Sequence, residues 1–174
     1  MTLAGDDKVL ILFRHAKAEQ VPGKDDHARE LTGRGRKDAR AAGQWLHEHG
    51  IGPELVLCSS SVRTRQTWDA AVEGGACGET VEFDRAIYNG SPDAVLQELR
   101  ERAGEAQVVL VVGHNPTMAA LASGLTEGDG SSQAHECLAE GFPTSTVAML
   151  RYAGPWSDLG IGTAVLDRCH TARG

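Results

Sequence analysis

Apolar and polar positions fall into two kinds of block along the chain. Residues 8–13, Lys8-Val9-Leu10-Ile11-Leu12-Phe13, form a short β-branched and aromatic run that predicts a buried strand. From Thr32 the spacing turns helical, with Ala39, Ala42 and Leu46 on one face and Gly50 as a stop. Residues 55–58 predict a second strand. Ser59-Ser60-Ser61 then supplies a cap for a helix carrying Thr64, Thr67, Trp68 and Ala71 at i, i+3, i+4 and i+7.

A break at Gly74-Gly75 and a short strand over residues 81–83 lead to Ser91-Pro92, a cap with proline at the first helical position, before Val95, Leu96, Leu99 and Ala103 line one face. Residues 107–112 are the most continuous apolar run, as expected of a central strand covered on both faces. It ends at Gly113-His114-Asn115-Pro116, behind which Met118, Leu121, Ala122 and Leu125 recur at helical spacing. Residues 124–139 are polar and glycine-rich and predict a mobile surface excursion. Residues 146–152 and 163–167 read as two closing strands.

Strands alternating with amphipathic helices predict an α/β fold, a three-layer α/β/α sandwich around a mostly parallel sheet. With 174 residues, 41% apolar and 24% charged, one domain over residues 1–174 is the expectation. The longest apolar run is strand-sized, far short of the roughly 18–20 residues that cross a bilayer, so no membrane span is predicted. The first eight residues lack the sections of an export signal, which points to the cytoplasm. A net charge of −7 argues against non-specific nucleic-acid binding. Oligomeric state is not legible.

In open sheets of this kind ligands bind beyond the carboxyl ends of the strands, and three such places carry Arg14-His15, Arg63 and His114. Two histidines and two arginines supply what metal-free phosphoryl transfer requires, a nucleophile and fixed positive charge around the phosphoryl oxygens. The guanidinium fork gives paired hydrogen bonds to phosphate, and a neutral imidazole can attack. No metal cluster is apparent and no cofactor is needed.

Leu12-Phe13-Arg14-His15-Ala16 resembles the strand-plus-RHG signature of the histidine phosphatase superfamily, with alanine in place of the usual glycine. Ser59-Ser60-Ser61-Val62-Arg63-Thr64-Arg65-Gln66-Thr67 is similar to its second-arginine motif, and Val112-Gly113-His114-Asn115-Pro116 to its second-histidine motif. The resemblance covers residues 8–151 and implies a phosphoglycerate-mutase-like fold. It also implies His15 as nucleophile, Arg14 and Arg63 as phosphoryl ligands, and His114 as the group completing the pocket.

Ester-cleaving members carry an acidic glutamate soon after the third strand, where this chain has Ile87 and Tyr88. A phosphoramidate is less demanding, because its leaving nitrogen can be protonated from solution. Together with the short chain and the Leu31-Thr32-x-x-Gly35 and Tyr88-Asn89-Gly90-Ser91 segments, this resembles the SixA-like phosphohistidine phosphatases of signal transduction. The implied partner is a phosphorylated protein, a histidine phosphotransfer domain or phosphocarrier. A small phosphorylated metabolite, cleaved or moved by a phosphatase or mutase, and a non-catalytic phosphate-binding role are the alternatives.

Lys17 could add positive charge to the pocket, Tyr88 could line it, and Glu19 could substitute as proton donor. Asp25, Asp26 and Glu30 read as surface residues, His47 and His49 as helix-end charges, and His27, His135 and His170 carry no motif. Cys58, Cys77, Cys137 and Cys169 lie far apart and read as four reduced thiols. Cys58 to Arg63 superficially resembles a cysteine phosphatase loop, but four residues intervene where that chemistry needs five.

Overall fold

The computed structural model describes residues 6–174; of the N-terminal segment read for an export signal, residues 1–5 lie outside it. Six strands form one sheet in the order β3-β2-β4-β1-β5-β6. They are β1 (Lys8–Arg14), β2 (Leu55–Ser59), β3 (Thr80–Asp84), β4 (Val108–Gly113), β5 (Thr146–Tyr152) and β6 (Ala164–Thr171). The first four run parallel, whereas β5 and β6 pair antiparallel, so the sheet is mixed but mostly parallel.

Alternation along β1 explains the layers. Val9, Ile11 and Phe13 join Ala42 and Leu46 of α1 (Gly33–Glu48) and Trp68 and Ala71 of α2 (Val62–Glu73) in one core. Leu10 and Leu12 point the other way, into a core with Leu99 of α4 (Pro92–Arg102) and Met118, Leu121 and Leu125 of α5 (Thr117–Thr126). A strand covered on both faces has no polar face to show, hence its unbroken apolar run. The α1 and α2 backbones meet at Gly43, where a Cβ would lie 1.9 Å from the Ala71 carbonyl oxygen.

The caps at Ser61 and Ser91 are those the sequence predicts, and Thr32 is a further one. Thr32 Oγ1 accepts from the Gly35 N–H, Ser61 Oγ from Thr64, and Ser91 Oγ from Ala94, the last with proline at the first turn. Two elements were not foreseen. The short helix α3 (Arg85–Asn89) follows β3 directly, with Asp84 as its cap.

Residues 124–139 are corrected from a surface excursion to structured chain: α5 continues to Thr126, and α6 (Ser132–Ala139) follows a turn at Gly128 and Gly130. Ala134 and Leu138 of α6 pack on the core, too short an apolar stripe in a helix of eight residues to register from the sequence. The last strand also runs to Thr171, four residues beyond the predicted end. No helix among the described residues is long and apolar enough to cross a membrane.

Candidate active site

Adjacent strands β1, β4 and β2 bring their carboxyl ends together, and with them Arg14-His15, His114 and Ser59 with the helix that carries Arg63. The turn after β1 is pinned from three sides. His15 N–H donates to the Gly113 carbonyl (3.0 Å), Ser145 N–H donates to the His15 carbonyl (3.1 Å), and Ala16 N–H donates to Thr67 Oγ1 (3.0 Å). Thr67 in turn donates to the Arg63 carbonyl at 2.7 Å, so one hydroxyl links the two motifs. Gly35 backs the turn: a Cβ there would lie 2.1 Å from the Lys17 carbonyl oxygen, which already accepts from Thr32 N–H.

His15 is buried, 8% exposed, with Nδ1 2.7 Å from the Ala16 carbonyl oxygen. A carbonyl only accepts, so Nδ1 carries the hydrogen and Nε2 keeps its lone pair. Burial, reinforced by Arg63 and Arg14, pushes its pKa down to about 4. Its ring lies 5.3 Å from that of His114, centroid to centroid.

His114 has a complementary arrangement. Arg63 Nη2 donates to its Nδ1 (3.2 Å), so the hydrogen of the neutral ring sits on Nε2 and donates to Ser59 Oγ at 2.6 Å. Burial, the neighbouring His15 and Arg63 push its pKa down to about 3. Both imidazoles are therefore neutral near pH 7.

Arg14 Nη1 donates to the Phe142 carbonyl (3.0 Å), which also accepts from Asn115 Nδ2 (3.0 Å). Phe142 adopts a left-handed backbone, φ 51°, as it aims that carbonyl at the arginine. Arg63 Nη1 and Nη2 donate to the Asp26 carbonyl (2.8 Å) and carboxylate (3.1 Å). Arg14 Nε and Arg63 Nε are buried without a hydrogen-bond partner among the described residues. Two cationic donors of this kind suit an anion with several oxygens.

Asp26 is exposed, as expected of a surface residue, yet its side chain is also part of this cluster. Its carboxylate accepts from Tyr88 Oη (2.7 Å), Arg29 Nη1 (3.0 Å) and Arg63, and the Tyr88 hydrogen bond, with those of Arg29 and Arg63, holds it well below the usual carboxylate range. His27 joins as well, with Nε2 2.9 Å from Ser60 Oγ and its ring edge-on to Tyr88. Tyr88 also stands edge-on to His114, 5.6 Å between centroids. Asp26 and His27 lie in a single 3-10 turn, too short for any periodic signal, and their nearness to Leu31-Thr32-x-x-Gly35 is the one cue to them along the chain.

The remaining candidates stand apart. Lys17 is exposed. Glu19 is taken by Lys24 and by the Glu30 N–H, which lower its proton affinity, so its carboxylate is not set up as a proton donor. Cys58 is buried in the core and its thiol is pushed up to about 12, which removes the cysteine-nucleophile reading.

Residues 10–87 match the family model of the histidine phosphatase superfamily, branch 1. An uncharacterized protein of Mycobacterium tuberculosis is 37% identical over 162 residues, 92% of this chain and all of that protein. Among solved structures, a Nakamurella multipartitia protein assigned as phosphohistidine phosphatase SixA is 36% identical, with TM-score 0.83 over 97% of this chain and 98% of that one. A protein of the same assignment from Agrobacterium tumefaciens is 32% identical, with TM-score 0.70 over 82% and 91% of the two chains. The pinned Arg14-His15 turn, the second arginine and the second histidine thus sit on a fold shared over most of the chain with these two solved structures, and the chain belongs to the histidine phosphatase superfamily, in its SixA-like group.

Proposed function

We propose that this single-domain chain is a phosphatase that takes a phosphoryl group onto His15 Nε2 and passes it to water, and that its substrate is phosphohistidine on a protein, such as a phosphotransfer domain or phosphocarrier. The observation that carries this reading is the neutral, buried His15, its lone pair on Nε2, beside two arginines with unpartnered buried Nε–H donors. In the first step the bond from phosphorus to the substrate nitrogen breaks as one to Nε2 forms, Arg14 and Arg63 stabilise the oxygens, and His114 completes the pocket by turning its Nε2–H from Ser59 Oγ to a phosphoryl oxygen. In the second, water attacks phosphorus, the new bond breaks, and phosphate leaves with His15 neutral again.

The choice of a P–N substrate follows from the proton inventory. An ester needs an acid for its leaving oxygen, and Asp26 at the site and Glu19 apart from it are both held ionised. Tyr88 occupies the stretch after β3, and its hydroxyl is committed as a donor to Asp26, which pushes its pKa up. A phosphohistidine nitrogen can bring its proton from solution. Turnover of a phosphohistidine-bearing protein against a panel of phosphate esters tests this, with at least a tenfold preference in kcat/KM for the former expected. A preference for the esters would overturn it.

A further inference from the structure

The four thiols that read as scattered in sequence are not equivalent in space. Cys58 is enclosed in the core and Cys77 is exposed, but Cys137 Sγ and Cys169 Sγ lie 2.6 Å apart, both partly buried. Two sulfur atoms this close stand nearer to the roughly 2.05 Å of a bond than to an ordinary contact. The fold creates the pair. Cys137 shares a face of α6 with Ala134 and Leu138, and that face packs on β6, where Cys169 stands opposite Ala148 of β5.

We propose that Cys137 and Cys169 are an oxidation site that forms a disulfide, stapling α6 to the sheet. Both sulfurs belong to residues lining a cavity of about 510 Å³ with Trp45, Ser131, Gln133 and His170, so a small peroxide has a route to them. The Cys137 thiol, its proton released as it ionises, attacks one peroxide oxygen as the O–O bond breaks, giving a sulfenic acid and a hydroxide that takes up that proton to become water. The second sulfur displaces the sulfenic oxygen, which leaves as water with that thiol's proton. The balance is two thiols and one hydrogen peroxide to one disulfide and two waters, with sulfur oxidised and peroxide reduced.

The staple reaches the active site through the backbone. The chain leaving α6 arrives after three residues at Phe142, whose carbonyl holds Arg14 and Asn115. The chain leaving β6 donates from Ala172 N–H to the Ser145 carbonyl, and Ser145 N–H holds the His15 carbonyl. Oxidation therefore fixes both supports of the segment that presents Phe142 and Ser145, without touching a side chain that meets phosphate.

The test is stoichiometric hydrogen peroxide on the full chain, alkylation of remaining thiols and digestion without reductant. A Cys137–Cys169 linked peptide about 2 Da lighter than its two thiol halves is expected, with Tm raised by roughly 5–10 °C. The rise is reversed by dithiothreitol and is absent in Cys137→Ser and in Cys169→Ser. Alkylation of both cysteines after oxidation, sulfinic acid at either without linkage, or cross-linking through Cys77 alone would overturn the proposal.

Discussion

Arg63 Nη2 donates to His114 Nδ1 at 3.2 Å, and this contact decides which way the second histidine faces chemically. With Nδ1 occupied, the ring hydrogen is on Nε2. Replacing Arg63 removes the proposed phosphoryl ligand, the tautomer lock on His114 and the partner of Asp26 together. Arg63→Ala is expected to lower kcat/KM by about 100-fold to 10,000-fold. Arg63→Lys is expected to recover only part, because a point charge lacks the fork. Steady-state kinetics on both variants checks this.

Thr67 is the joint between the motifs, accepting from the Ala16 N–H and donating to the Arg63 carbonyl. Valine keeps the shape and deletes both bonds, leaving a buried N–H unpaired beside His15. Thr67→Val is expected to cost about 1–3 kcal/mol in chemical denaturation and to lower kcat more than it raises KM.

Asp26 places a negative charge on the arginine that would meet phosphate. Asp26→Asn keeps the shape and removes the charge, so inorganic phosphate is expected to bind about threefold to tenfold tighter. Competitive inhibition and calorimetry measure it directly.

The histidines set a pH dependence of stability. Their folded pKa values, about 4 for His15 and about 3 for His114, lie below the unfolded value near 6.5. Below about pH 6.5 the unfolded chain therefore binds protons that the folded chain refuses, and stability falls as pH drops toward 4. The His15 share is roughly 3 kcal/mol over that interval. Urea midpoints across this range should fall with pH, and less steeply in a His15→Phe variant. Imidazole NMR should show both rings neutral from about pH 5.5 to about pH 8.

Much of this was legible in the sequence because the same residues carry pattern and chemistry. The strand β1 is apolar on both faces, so its end is sharp, and Arg14-His15 stands where the apolar run stops. Ser61 caps α2 and so fixes where Arg63 begins its helix. What was hidden depends on contacts between segments without periodicity. Asp26 and His27 occupy one 3-10 turn, and only the folded chain brings them to Arg63, Ser60 and Tyr88. The helix α6 hid behind its polar surface, and with it the approach of Cys137 to Cys169.

The central claim is that phosphorus passes through His15. Brief incubation with a labelled phosphoryl donor, an alkaline quench that preserves phosphohistidine, and mass spectrometry of the digested chain test it most directly. The account predicts label on His15, at Nε2, and none in His15→Ala. Label on another residue, or turnover by the wild-type chain with His15 never labelled, would contradict it.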